Sequence, residues 1–206
     1  MPQSLHYLKE TASQTAGPYV HIGLAPKAAG FDIYKRELGW DIAGPNAKGE
    51  RIRIEGSVID GMGAPIKDAL LELWQANSEG NYAHPQGGVG VEEGFRGWGR
   101  VITDFKTGDW SVETIKPGTT LDPRGKPQAP HITLWLVARG INVGLNTRLY
   151  FSDEAEANAA DPVLNMLEWE DRRATLIAQY SLREGKPVYR FDIRLQGEAE
   201  TVFFDI

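Results

Sequence analysis

The chain has 206 residues, no cysteine and a formal net charge of −6 at pH 7. This composition excludes disulfides, thiolate metal sites and cysteine nucleophiles, and its acidic balance argues against a nucleic-acid partner. We expect a single domain over residues 1–206 and, because neither a signal-like apolar segment nor a run of about 18 apolar residues occurs, a cytoplasmic protein.

Alternation of apolar and polar residues predicts strands along most of the chain. In residues 51–60, Ile52 and Ile54 alternate with arginines, as in a half-buried strand. The apolar run 69–74 is a second candidate strand, although its length does not exclude a helix. Further strands are expected at 100–104, 110–115, 132–138, 148–151, 189–195 and 201–205. The turn residues at 106–109 predict that strands 100–104 and 110–115 form a hairpin.

Residues 155–180 are the exception to this pattern. Asp161 followed by Pro162 is typical of a helix start, and Leu164, Leu167, Leu176 and Ile177 fall near helical spacing. Residues 15–50 and 80–99 are expected to be long ordered loops. The glycine-rich part of 80–99 lacks the preceding strand and following helix of a phosphate-binding loop, which argues against nucleotide binding. The predicted fold class is therefore all-β: a β-sandwich core with one or two short helices at 155–180 and long ordered loops.

The segment Pro130-His131-Ile132-Thr133 begins an apolar strand. Two histidines at positions i and i+2 of a strand would face the same side and could bind one metal ion. Thr133 cannot replace the second histidine, because a neutral hydroxyl is a poor ligand beside imidazole or carboxylate. Taken alone, His131 is more typical of a hydrogen-bonded core histidine than of a ligand.

Several motifs resemble the signature of the intradiol ring-cleavage dioxygenases. They occur in the family's order along nearly the whole chain: Gly17-Pro18-Tyr19, Ile54-x-Gly56-x-Val58, Leu71-Glu72-Leu73, Gly80-x-Tyr82, Lys116-Pro117-Gly118, Pro130-His131-Ile132, Arg148-Leu149-Tyr150-Phe151 and Tyr189-Arg190-Phe191. The resemblance implies a β-sandwich and a catalytic ferric ion held by two tyrosines and two histidines.

Carried over residue by residue, this ligand set is incomplete. Tyr82 and His131 match the first tyrosine and the first histidine, but the second tyrosine position is Thr119 or Thr120 and the second histidine position is Thr133. An arginine that the family places three residues before the first histidine is Gln128 here. We therefore expect no metal and no catalytic residue in this chain, with Tyr82, Thr120, His131 and Thr133 as degenerate ligand positions.

The resemblance also implies a partner. In this interpretation the chain is the non-metal subunit of a hetero-oligomer, and Fe(3+) is bound by a homologous beta subunit that cleaves protocatechuate with O2. An arm of about 1–50 would lie at the interface, with Gly17, Pro18, Tyr19 and Arg139 at the substrate. By its chemistry alone, Arg139 either binds a carboxylate at the end of its strand or is exposed to water.

Two alternatives remain open. The chain could be a non-catalytic ligand-binding or scaffold protein on a dioxygenase-derived sandwich, or a homo-oligomeric enzyme with a metal site rebuilt from other residues. The histidines His6, His21 and His84 are scattered, although His84 lies near Tyr82 in sequence. The aromatic-rich segments 31–40 and 95–98 predict more apolar surface than one core can cover, which favours a partner.

Overall fold

The computed structural model describes residues 15–85 and 90–205, so His6 and positions 87–89 lie outside the described residues. Within these ranges the chain forms eleven strands, three short α-helices and one 3₁₀ turn. The strands are β1 (Arg51–Ile59), β2 (Leu70–Gln75), β3 (Trp98–Ile102), β4 (Asp109–Ile115), β5 (Thr120–Leu121), β6 (Pro127–Gln128), β7 (His131–Val137), β8 (Leu145–Phe151), β9 (Ile177–Arg183), β10 (Lys186–Arg190) and β11 (Ile193–Arg194). The helices are α1 (Pro18–Leu24), α2 (Ala155–Ala160) and α3 (Glu170–Ala174), with the 3₁₀ turn at Leu164–Met166.

Most strands belong to one hydrogen-bonded sheet that divides into two halves. In the first half, β4, β1, β10 and β9 lie side by side, and β11 continues along the end of β1. In the second half, β3, β2, β7 and β8 are all antiparallel neighbours. The halves meet where the end of β8 pairs in parallel with the start of β9, and β5 and β6 form a separate small sheet.

The hydrophobic core lies between these halves. Ile52 and Ile54 of β1 belong to the same buried cluster as Leu71 of β2 and Leu134 of β7. Because successive strand residues face opposite sides, the intervening Arg53 lies on the outer face of its half. The predicted all-β class and β-sandwich core are confirmed.

The prediction of a hairpin over residues 100–115 is wrong. The turn itself forms, with the Gly108 amide donating to the Asp104 carbonyl at 2.8 Å. Its two strands then diverge, because β3 pairs with β2 in one half and β4 pairs with β1 in the other. The connection therefore crosses from one half to the other, which turn residues alone cannot reveal.

Two predicted strands at the C-terminal end also differ from the structure. The segment 189–195 is divided between β10 and β11, since the Asp192 carboxylate accepts a 2.9 Å hydrogen bond from the Ser57 amide in place of a strand contact. The segment 201–205 is not a strand, although it contacts the sheet through an isolated bridge between Phe204 and Asn146 and through a hydrogen bond from the Thr201 amide to the Arg194 carbonyl.

The helical region is shorter than the range 155–180 predicted from the spacing of its leucines. Helices α2 and α3 and the 3₁₀ turn lie between residues 155 and 174, but Ile177 begins strand β9, so the helical interpretation of Leu176 and Ile177 is wrong. Pairing with β8 and β10 overrides the local spacing there. Residues 15–50 are mainly loop, as expected, except for α1, which begins at Pro18. Among the described residues, no helix is long and apolar enough to cross a membrane.

The two aromatic-rich segments behave differently. Phe31, Ile33 and Leu38 are exposed, with 76% of Leu38 accessible to solvent. Phe95, in contrast, is buried and packs in a small cluster with Ala43 and Ile115. The expectation of extra apolar surface at 95–98 is therefore wrong, whereas residues 31–40 do present it.

Candidate functional site

Two glycine-containing loops place Tyr82 beside Thr120. Gly80 has a φ of +84°, and a Cβ there would lie 1.9 Å from the Thr119 carbonyl oxygen. At Gly118 a Cβ would lie 2.4 Å from the Ser78 carbonyl oxygen. Only glycine permits such a close approach of two backbones, so both glycines set the position of the Tyr82 ring.

His131 lies at the start of β7 and is hydrogen-bonded at both ring nitrogens. Its Nδ1 is 2.8 Å from the Ala129 carbonyl oxygen, and its Nε2 is 3.3 Å from the Tyr82 hydroxyl. A carbonyl can only accept, so Nδ1 carries the proton and the Tyr82 hydroxyl donates to Nε2. The Tyr82 oxygen in turn accepts from Thr120. Three of the four degenerate ligand positions therefore form one hydrogen-bonded chain.

The surroundings of Tyr82 and His131 favour the uncharged form of both side chains. Burial raises the pKa of Tyr82 above its ordinary value of 10, and Arg148 and the Thr120 hydrogen bond oppose this rise only in part. Burial, together with the positive charge of Arg148, lowers the pKa of His131 to about 4. At neutral pH the pair is thus a phenol and an uncharged imidazole.

Arg148 and Gln128 line the same site. Arg148 of β8 is the cross-strand neighbour of Thr133, the fourth ligand position. Its Nη1 donates to Gln128 Oε1 at 2.8 Å and approaches the Tyr150 hydroxyl at 3.4 Å. Gln128 is in turn the cross-strand partner of Thr120. The guanidinium therefore lies among residues that flank the ligand positions.

Asp161 fixes the strand that carries His131. Its fully buried carboxylate accepts hydrogen bonds from the amides of Ala129, Val163 and Leu164 at 2.8, 2.8 and 2.9 Å. The Tyr150 hydroxyl lies 3.3 Å from the same carboxylate. The predicted N-cap at Asp161 is wrong, because Asp161 is the C-cap of α2 and the 3₁₀ turn that follows has Val163 as its N-cap. The Asp161 side chain instead ties the helical region to the start of β7.

These residues do not fit a ferric ion. Thr120 and Thr133 offer neutral hydroxyls, and Tyr82 and His131 direct their ligand atoms at each other. The raised pKa of Tyr82 disfavours the phenolate that iron would need. Over residues 15–85 and 90–205, no group of three or more His, Asp or Glu side chains could hold a metal, and His21 instead packs against Phe105.

Arg139 lies in a different part of the molecule. It lies two residues beyond the end of β7, whereas His131 is the first residue of β7, so the two are roughly 25 Å apart along the chain direction of the strand. The Arg139 side chain is 63% exposed and its Nε is ion-paired with Asp68. Arg139, Asp68 and Phe105 line one open hollow on the surface.

The N-terminal segment lies close to Arg139. The Gly140 amide donates to the Thr15 hydroxyl at 2.6 Å, and the ring of His21 contacts Phe105 with centroids 5.2 Å apart. Between these contacts, Gly17 is the N-cap of α1, Pro18 is its first residue and Tyr19 is 86% exposed.

The structure thus brings Gly17, Pro18 and Tyr19 near Arg139, but keeps all four away from Tyr82 and His131. Sequence reasoning missed Asp68 and Arg148. Asp68 directly precedes the second predicted strand, whereas the place of Arg148 depends on its pairing with Thr133, for which the sequence carries no local signal.

Comparison with known proteins agrees with this fold. A family model described as Dioxygenase matches residues 34–197. The sandwich is also similar to that of 3-chlorocatechol 1,2-dioxygenase from Rhodococcus opacus 1CP, with a TM-score of 0.56 at 21% identity over 77% of this chain and 64% of that one. The chain belongs to the intradiol ring-cleavage dioxygenase family.

Two relatives show which type of subunit the chain resembles more. The chain is 52% identical over 201 residues to the protocatechuate 3,4-dioxygenase alpha chain of Pseudomonas putida, which covers 98% of each sequence. It is 37% identical over 163 residues to the protocatechuate 3,4-dioxygenase beta chain of Burkholderia cepacia, covering 74% of this chain and 67% of that one. The sequence is therefore more similar to the alpha chain than to the beta chain, and the alpha-chain match covers more of its length.

Proposed function

We propose that this chain is the alpha subunit of a protocatechuate 3,4-dioxygenase. In this proposal it binds no metal and completes the active site of a homologous, iron-bearing beta subunit. The complex cleaves protocatechuate with O2 between its two hydroxyl-bearing carbons, giving 3-carboxy-cis,cis-muconate. The chain alone is inactive.

One observation carries this proposal: end-to-end similarity to an alpha chain in a sequence whose own ligand positions are a hydrogen-bonded Tyr82–His131 pair and two threonines. The match covers 98% of both chains. Over the same length, Tyr82 donates to His131, and the other two ligand positions are Thr120 and Thr133. An iron enzyme working alone would need those four positions, so the chemistry is assigned to a partner.

The contribution of this chain is assigned to the surface around Arg139. Protocatechuate carries a carboxylate at neutral pH, and burying that charge without a partner is costly. The guanidinium of Arg139 is ion-paired through Nε with Asp68, and its side chain is largely exposed. We assign its terminal nitrogens to the substrate or to the pocket wall of the partner, beside Gly17, Pro18 and the exposed Tyr19.

Docking is assigned to the N-terminal arm. Between residues 19 and 40 a series of large apolar side chains is at least 37% exposed: Tyr19, Leu24, Phe31, Ile33, Tyr34, Leu38 and Trp40. Exposed apolar groups of this density are typical of a surface that a partner covers. The proposal places the complex in the cytoplasm, as the sequence analysis predicts.

Co-expression with an intradiol dioxygenase beta chain from the same genome tests the proposal. The purified pair should take up O2 on protocatechuate and contain iron, whereas this chain alone should do neither. As a matched control, Tyr82→Phe with His131→Gln in this chain should leave the iron content and activity of the pair unchanged. Failure of the chain to co-purify with that partner, or O2 uptake by this chain alone, would refute the proposal.

A further inference from the structure

The Arg148 side chain lies beside the degenerate ligand positions. On one side it is the cross-strand neighbour of Thr133. On another it donates to Gln128, which pairs with Thr120 across β5 and β6. Its charge also acts on both Tyr82 and His131, which places the guanidinium within electrostatic reach of each. Thr133, and Thr120 through Gln128, therefore lie beside one cation whose charge also acts on Tyr82 and His131.

The partners of this cation are neutral. Its hydrogen bonds go to the Gln128 amide oxygen and to the Tyr150 hydroxyl. Among the ion pairs of the described residues, none involves Arg148, although the buried carboxylate of Asp161 lies on the other side of Tyr150. An arginine does not lose its proton in a protein, so this positive charge is permanent.

We propose that the Arg148 guanidinium occupies the degenerate ligand site and excludes a metal cation from it. The loss of two ligands is then only half of the change that made this site metal-free. A permanent positive charge beside the ligand positions repels any metal ion there, and its hydrogen bonds hold Gln128 and Tyr150 in an arrangement that needs no metal. The inference does not depend on the proposed function, since it concerns this chain alone.

The proposal makes a prediction that ligand loss alone does not. Restoring the tyrosine and the histidine with Thr120→Tyr and Thr133→His should fail to restore iron binding while Arg148 is present. Adding Arg148→Gln should then admit the ion. Arg148→Lys on the same background is the matched control, because it keeps the charge and shortens the side chain.

The experiment uses the full chain in four forms: wild type, the double variant, and the double variant with Arg148→Gln or Arg148→Lys. Each is loaded with ferric iron and desalted, then assayed for iron per chain and for the visible absorption of a tyrosinate–ferric bond. We expect the Gln form to bind iron more than about 100-fold tighter than the double variant. The Lys form should remain close to the double variant.

Three results would overturn the proposal. The first is tight iron binding by the double variant. The second is no increase in iron affinity on adding Arg148→Gln, in a protein with the circular dichroism spectrum of the wild type. The third is an equal increase in iron affinity from Arg148→Gln and Arg148→Lys. If the Gln form does not fold, Arg148→Met replaces it. Unfolding of both neutral forms would make Arg148 a structural residue and would also overturn the proposal.

Discussion

The Tyr82 hydroxyl lies 3.3 Å from Nε2 of His131, so two side chains in metal-ligand positions are hydrogen-bonded to each other. His131 is 2% exposed, and its second nitrogen is committed to the Ala129 carbonyl. This arrangement stabilises an uncharged imidazole inside the protein. It therefore predicts how the stability of the chain depends on pH.

The free energy of unfolding should fall as the pH drops from 6.5 to 4. Burial and Arg148 lower the pKa of His131 from 6.5 to about 4. Between these values the unfolded chain binds more protons than the folded one, so stability present above pH 6.5 is lost toward pH 4, by about 3 kcal/mol at most. Urea unfolding at pH 7 and pH 4.5 measures this loss in the free energy of unfolding. His131→Gln should lack this part of the decline, and an equal decline in both proteins would contradict the assignment.

Asp161→Asn should destabilise the fold by about 2–3 kcal/mol. The buried carboxylate accepts from three backbone amides, and an asparagine amide nitrogen cannot accept, so at least one amide is left unpaired. Asp122→Asn is the control, since that carboxylate caps an exposed turn through the Arg124 and Lys126 amides. Thermal or urea unfolding of the two variants measures the difference. Equal losses would show that burial at Asp161 does not matter.

Arg139→Ala should lower kcat/KM of the assembled complex on protocatechuate by about 1.5–3 kcal/mol in transition-state free energy, as for a lost charge-assisted hydrogen bond. Iron content and assembly should be unchanged. The control is Arg194→Ala, which removes another exposed arginine far along the chain.

The substrate separates two roles for Arg139. If its guanidinium binds the carboxylate of protocatechuate, turnover of plain catechol should be much less affected. If it acts only in subunit packing, the complex should dissociate and both substrates should be lost together. Unchanged kinetics in an intact complex would show that Arg139 has no part in the site.

Leu38→Asp should weaken association with the beta subunit at least tenfold, because it introduces a charge into the exposed apolar arm. Leu182→Asp is matched to it, being a leucine 62% exposed on β9 outside the arm. Analytical ultracentrifugation of each variant with the partner measures the affinity. Equal weakening by both substitutions would remove the arm from the interface.

The sequence predicts best those features that depend on neighbouring residues. The alternation around Ile52 and Ile54 predicts β1 correctly, and the motif around Pro130 and His131 predicts the start of β7. The hairpin at 100–115 fails because turn residues fix a chain reversal but not the pairing of the strands that follow.

The same limit applies to the candidate site. Tyr82, Thr120, His131 and Thr133 can be placed by motif, and the structure brings Tyr82, Thr120 and His131 into one hydrogen-bonded chain. The role of Arg148 follows from strand register across β7 and β8, and the ion pair of Asp68 with Arg139 joins residues 71 positions apart. Such long-range contacts leave no local pattern to interpret.

The iron content of the purified full chain, expressed alone and then incubated with iron under reducing and oxidising conditions, tests the central claim most directly. Because Tyr82 and His131 bind each other and the other two ligand positions are threonines, elemental analysis after desalting should give far less than one iron per chain. The chain should also lack the visible absorption of tyrosinate bound to iron. One tightly bound iron per isolated chain, with that absorption, would contradict the account.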